Sequence, residues 1–366
     1  MQSEKITNTQ VILLIIALRF TIYFLSLSTT TPPANQDIWI AQLGSMLYAA
    51  ILFSPLLILS RKFPNRSLWE YPEQITGKIA SKLISVLYLG YLLLLPLLLS
   101  INLTLFIGSA LLPETPKYIH LIFLFIPSVF AAYQGIVNIA RTGQIIIPVV
   151  LALFLLTMVL GIPIYDFKVL VPIFKDSTLL QLHQGSLSFA LYFQDGLILF
   201  FMAPDMKEKF IEKTFFIALV MSTLLFVIIS LCPLMVFGVE QVKHLNYPFY
   251  LFVREIEVFD FIEHIEPVVL LGWLMDSLFK FSVYTYFAAK GMQQITGAKS
   301  HHKFIIPFAL CIFGLFFIPA LNSIDMVTFI STKIILKVSF AVLFVIPALL
   351  AAIYFIKQLL SEQTSR

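Results

Sequence analysis

Ten apolar stretches of 17–25 residues follow one another along the chain, at 11–29, 38–60, 83–107, 119–139, 144–164, 187–204, 214–238, 267–289, 304–320 and 334–356. A bilayer core about 30 Å thick takes roughly 20 residues of α-helix to cross. Within it every backbone N–H and C=O must be satisfied by the segment itself or by a closed barrel. The stretches are too long for barrel strands and lack alternating hydrophobicity. They predict an all-α integral membrane protein of ten transmembrane helices, a single transmembrane domain over residues 1–366. Charged residues are 12% of the chain, against about 25% in soluble domains, so little is left for a soluble unit. The net charge of +4 sits in short loops and describes no nucleic-acid surface. Fourteen glycines are few for such a chain, which argues against very mobile helices. Cys232 and Cys311 fall in apolar stretches and read as packed, inert thiols, with no disulfide or metal framework. The first stretch carries no cleavage signature and reads as an uncleaved span.

Lysine and arginine set the expected orientation. With the amino terminus inside, 15 basic residues fall in inner loops and tails and six in outer ones; Arg19, Lys280 and Lys337 lie within spans. That bias places both termini in the cytoplasm. The segment 30–37 is a tight outer turn, 61–82 suits a short helix on the inner face, and 165–186 is a polar outer loop. In 246–266, Ile256, Phe259 and Ile262 recur on one side among Arg254, Glu255, Glu257, Asp260 and Glu263. This is the pattern of a short amphipathic helix at the outer surface. It fits a cap over a vestibule and a helix resting on the lipid interface equally well.

The sixth span is unlike the others. Its middle reads Tyr192-Phe193-Gln194-Asp195-Gly196, an amide, a carboxylate and a glycine in a row between apolar flanks. A carboxylate at the bilayer centre costs at least ~2.5 kcal/mol and must face protein or water. Glycine there weakens the helix by about 1 kcal/mol. A polar weak point halfway through a span marks a discontinuous helix of the kind transporters use; an unbroken span with one paired carboxylate is the plainer reading. Ten spans also permit two inverted repeats of five, about 8–164 and 185–357, which makes span one the partner of span six. Arg19 and Asp195 then lie at similar depth, about 12 Å from opposite membrane faces at 1.5 Å per residue, and Arg19 is the expected counter-charge of Asp195. Asp276 and Lys280, four apart with the acid first, are expected to pair with each other on their own helix. His301 and His302 in an inner loop do not make a metal site by themselves. No phosphate loop, H-E-x-x-H or G-x-S-x-G motif is present, so neither an enzyme nor a cofactor is indicated.

The loops carry a resemblance. Asn35-Gln36-Asp37-Ile38-Trp39-Ile40 is similar to an A-G-Q-D-A-W-I run at the start of span two. Arg61-Lys62-Phe63-Pro64, Leu112-Pro113-Glu114-Thr115-Pro116, Gly135 through Arg141, Tyr247-Pro248, Phe261 through Glu266 and Trp273 follow in the same order. On these runs the chain resembles, over nearly its whole length, the B subunit of GerA-type spore germinant receptors, a branch of the amino acid/polyamine/organocation transporter superfamily. The resemblance implies a five-plus-five inverted-repeat fold of the leucine-transporter type with spans one and six broken at the centre. It also implies a place in the spore's inner membrane beside a larger A subunit and a lipoprotein C subunit, with the B subunit recognising a germinant, often an amino acid. One departure matters. Where the family has glycines and a proline in span one, this chain has Thr21-Ile22-Tyr23-Phe24-Leu25-Ser26-Leu27-Ser28. Tyr23 fills volume there, which implies a smaller or differently shaped pocket, or a less broken first helix in a supporting subunit.

The expected ligand-binding residues are Thr21, Tyr23 and Phe24 from span one and Tyr192, Gln194, Asp195 and Gly196 from span six, with Arg19 as charge partner. The expected function is a receptor subunit that binds a small polar germinant at the midplane and signals to its partners. The alternative is a secondary transporter of amino acids and cations, with Asp195 carrying a proton or orienting an amine.

Overall fold

The computed structural model describes residues 5–257, 265–319 and 324–364, without the side chains of 21–33, 268, 324, 325, 332 and 364. Thr21, Tyr23 and Phe24 are thus outside the described side chains, and Phe259, Asp260, Ile262 and Glu263 are outside the described residues. The elements are α1 (Asn8–Ala34), α2 (Ile38–Lys62), α3 (Tyr71–Thr76), α4 (Lys78–Phe106), α5 (Lys117–Gln134), α6 (Ile136–Leu160), α7 (Leu179–Leu191), α8 (Ile198–Met202), α9 (Ile211–Val242), α10 (Pro248–Arg254), α11 (Glu266–Thr296), α12 (His302–Phe316), α13 (Ile324–Phe329), α14 (Ile335–Phe340) and α15 (Ile346–Thr364). Seven helical segments among the described residues are long and apolar enough to cross a membrane, and Asn8–Phe20 and His302–Phe316 are shorter apolar ones. Their lipid-side residues are large and exposed, as at Phe123, Ile126, Ile145 and Leu83. That distribution, apolar outside as well as inside, is what a lipid solvent permits.

Local chemistry explains the breaks. Gly77 and Gly135 take φ of +82° and +86° at the α3–α4 and α5–α6 junctions, a region that side chains resist. Thr178 and Gln181 form a reciprocal capping box that starts α7. Prolines 55, 96, 127, 148 and 233 lie inside helices, which a packed bundle tolerates because neighbouring groups satisfy the freed carbonyls.

Residues near both ends of the described chain lie at one end of the bundle, hereafter the terminal end. Ile6 N–H donates to the Asp205 carbonyl (2.9 Å), and Lys207 N–H donates back to Ile6 (2.8 Å). Lys357 Nζ donates to the Ile75 carbonyl (2.8 Å). The short helix expected within 61–82 is α3. At the far end, the turn after α1 grips the loop that leads into α7. Asn35 Nδ2 donates to the Asp176 carbonyl (2.5 Å), while Asp37 Oδ2 accepts from Phe174 N–H (3.0 Å) and from Ser177 Oγ. Small residues then let α2 and α7 pack closely. A Cβ on Gly44 would stand 2.7 Å from Ser186 Oγ, and one on Gly185 3.1 Å from Ala41 Cβ. Helix α10 is pressed against the bundle, with Phe249, Phe252 and Val253 buried and Phe249 stacked on Phe154 (centroids 5.6 Å). Cys232 is buried as expected, but Cys311 is exposed on α12 and is not a packed thiol.

A candidate ligand site where the sixth span turns

The sixth span is kinked and tightened in its middle. Helix α7 ends at Leu191, a turn of 3₁₀ helix covers Tyr192–Leu197, and α8 resumes at Ile198. The departure from helical geometry falls at Phe193 (φ −75°, ψ 17°). Gly196 explains how the turn closes: a Cβ there would stand 2.7 Å from the Phe193 ring. That ring is fully buried, with Phe53 and Phe215 edge-on at 5.6 and 5.5 Å and the Arg19 guanidinium 4.7 Å from its face. The arginine lies in cation–π range.

The turn aims two polar side chains in different directions. Asp195, fully buried, pairs with Lys280 of α11 at 3.1 Å and accepts from Tyr284 Oη at 2.5 Å. The Lys280 ammonium also donates to the Leu18 carbonyl of α1 (3.0 Å). One ammonium therefore ties α1, the sixth-span turn and α11 together. Gln194 points the other way. Its Oε1 accepts from Tyr91 Oη of α4 (2.7 Å) and from Ser339 Oγ of α14 (2.8 Å), which are themselves 2.8 Å apart. Tyr192 is buried at the start of the turn.

The buried charges meet hydrogen-bonding partners from other helices. Asp195 takes Lys280 as its ion-pair partner, while the Arg19 guanidinium donates to Ser222 Oγ (2.8 Å) and Thr223 Oγ1 (3.1 Å) of α9. The Phe193 ring lies under the guanidinium, and Arg19 remains within electrostatic reach of Asp195. Lys280 in turn leaves Asp276, its neighbour on the same helix, for an acid 85 residues away in sequence. Tyr91, Tyr284 and Ser339 were not singled out from sequence. Tyr284 carries a signal in hindsight, since it follows Lys280 by one helical turn. Tyr91 and Ser339 are single polar groups in apolar runs and carry none.

This arrangement is polar, buried and internally paired, and it offers little for bond-breaking. A carboxylate, an ammonium and a phenol meet on one side of the segment, an amide, a phenol and a hydroxyl on the other, and no nucleophile sits beside a base among them. Among the described residues no three His, Cys, Asp or Glu side chains come together as for a metal. His301 and His302 stack on each other at 4.2 Å.

Comparison with known proteins now adds to this geometry. Residues 5–326 match the spore permease family, described as spore germination proteins. The chain belongs to that family. It is 26% identical over 317 residues to spore germination protein YndE of Bacillus subtilis (strain 168), covering 86% of this chain and 85% of that one. To spore germination protein KB of the same organism it is 23% identical over 315 residues, 85% and 84% of the two chains. To spore germination protein XB of Bacillus anthracis it is 23% identical over 281 residues, 76% and 78%. This spore permease is a germination protein of a membrane, and its apolar helices make it an integral one.

Proposed function

We propose that this spore permease is the membrane-embedded B-type subunit of a nutrient germinant receptor, and that it reads a small ammonium-bearing germinant at the Gln194–Asp195 turn. The observation that carries the reading is the turn itself. A sixth span kinked in its middle turns a buried carboxylate toward a cation and a phenol, which is the chemistry that holds an amino group. Gln194, Tyr91 and Ser339 supply neutral hydrogen bonding on the other side. Thr21, Tyr23 and Phe24 of α1 are proposed to complete the pocket, with Tyr192 and Gly196 shaping the turn. A ligand that prefers one packing of the turn against α1 and α11 biases the whole bundle toward it, and that bias is what partner subunits sense. The partners proposed are a larger membrane A subunit and a lipoprotein C subunit. The seat is the spore's inner membrane, both termini are cytoplasmic, and the ten spans form two inverted repeats of five. No catalytic role is assigned.

The test is a thermal-shift screen of the detergent-solubilised protein against amino acids, sugars and nucleosides, with Asp195→Asn as control. A compound at 100 times its Kd stabilises by about 2.7 kcal/mol. The reading expects an amine-bearing compound that raises the melting temperature of the native protein and not of Asp195→Asn. No shift with any compound, or equal shifts in both proteins, overturns it. A second reading, secondary transport, is favoured by the half-buried ion pair Lys290–Asp205 (2.9 Å) at the terminal end, because alternating access needs contacts that can part. Uptake of the same compound into liposomes separates transport from sensing.

A further inference from the structure

Lys280 has a second carboxylate within reach, and in this packing it does not use it. Asp276 stands one turn earlier on α11, is 1% exposed, and its Oδ1 has no hydrogen-bond partner. A buried carboxylate without a partner is costly, more so in lipid than in a soluble core. On a helix, side chains four apart start about 5–6 Å from each other, and acid before lysine is the favourable order. The four-carbon stem of Lys280 can therefore lay its ammonium on Asp276 without backbone movement. Instead the ammonium lies 3.1 Å from Asp195 and 3.0 Å from the Leu18 carbonyl.

We propose that Asp276 is the second seat of the Lys280 ammonium, taken when an ammonium-bearing ligand occupies Asp195. This rests on the reading of Asp195 as the ligand's anchor and says how that anchor is freed. A cationic ligand that met Asp195 still paired with Lys280 would meet a like charge in a low-dielectric place. A lone buried Asp276 carboxyl holds a proton; as Lys280 arrives that proton leaves to bulk water, after which two carboxylates face two ammonium groups and every buried charge is paired. The move also breaks the Lys280–Leu18 hydrogen bond. Binding at the sixth-span turn thereby removes the ammonium's tie between α1 and α11, a direct link from ligand to helix packing.

The seat is tested first without any ligand, on full-length protein in nanodiscs, by thermal melts of Asp195→Asn, Asp276→Asn and the double variant. Both substitutions keep side-chain volume. If Asp276 is the second seat, Asp195→Asn costs little, because the ammonium reseats. Asp276→Asn melts at or above the native protein. The double variant strands the ammonium and falls by clearly more than the sum of the single changes. An additive double variant, or an Asp195→Asn protein already as unstable as the double, overturns the seat. The second arm uses a panel of amino acids and simple primary amines. A compound that stabilises the native protein should bind Asp276→Asn at least tenfold more weakly, and Lys280→Met should erase that difference. Equal binding to native and Asp276→Asn protein overturns the seat. If the ligand-free melts are non-additive while no panel member binds the native protein, the seat stands and the ammonium-germinant reading falls.

Discussion

Lys280 joins two spans in the interior. It is 3% exposed, and its ammonium joins a carboxylate of the sixth span to a main-chain carbonyl of the first. Removing one member of a buried ion pair typically costs about 3–5 kcal/mol, because the partner is left charged and alone. Lys280→Met is accordingly expected to lower stability by an amount in that range, read as a fall in melting temperature in detergent. Tyr284→Phe, which removes only the phenol from Asp195, should cost about 1–2 kcal/mol in the same measurement. If the two variants melt alike, the ion pair is not the dominant interaction at Asp195. The sequence made Asp195, Gln194 and Gly196 visible, because an ionisable group in a span must have a reason. It did not show which cation Asp195 would meet. Local spacing rules see only the same helix, and they assigned Lys280 to Asp276.

At the scale of elements, the sixth span shows how a helix is kinked without proline. The turn at Tyr192–Leu197 exists because Phe193 folds its ring back over Gly196, where no Cβ stands in the way. The ring is held by Phe53 and Phe215 and cannot give way. Gly196→Ala is therefore expected to destabilise by about 1–3 kcal/mol through overpacking and to displace Phe193 from beneath Arg19. A thermal melt and the quenching of a fluorophore placed near the turn report the two effects. An unchanged melt means that the ring has room to move, contrary to the packing described. This break was legible in sequence as a polar, weakened midpoint, but its position was not. The departure is at Phe193, three residues before the glycine, because the ring folds onto the space that the glycine leaves.

Across the whole molecule, the terminal end is tied together by main-chain, aromatic and ionic contacts. The main chain at Ile6 pairs with Asp205 and Lys207, Trp69 packs on Phe201 (4.6 Å), and Lys290 holds Asp205. Gly291 lets Trp69 in, since a Cβ there would stand 2.6 Å from the indole. His301 flanks these contacts, its ring edge-on to Tyr286 at 5.1 Å. Partial burial first, then the charges of His302 and Lys290, push its pKa down from 6.5 to about 4. Above pH 6.5 His301 is neutral in folded and unfolded chains alike and carries no penalty. As pH falls from 6.5 toward 4 the unfolded chain takes up the proton first, so stability is lost over that window. His301→Gln is expected to lose less melting temperature between pH 7 and pH 4.5 than the native protein. Equal losses would assign the acid sensitivity to other groups.

What the sequence determined by itself is the solvent and the scaffold. Long apolar runs with few charges can only be helices in lipid, because a bilayer satisfies no backbone group from outside. A carboxylate beside a glycine in such a run marks the place where the scaffold is kinked. What the tertiary structure alone decided is the pairing of the buried charges: Asp195 with Lys280, Arg19 with Ser222 and Thr223, Gln194 with Tyr91 and Ser339. The physical reason is range. Helix formation and membrane burial are set by neighbours within a few residues, whereas an ion pair in a low dielectric is set by which side chains the packing brings within about 3 Å, and those come from helices far apart in the chain.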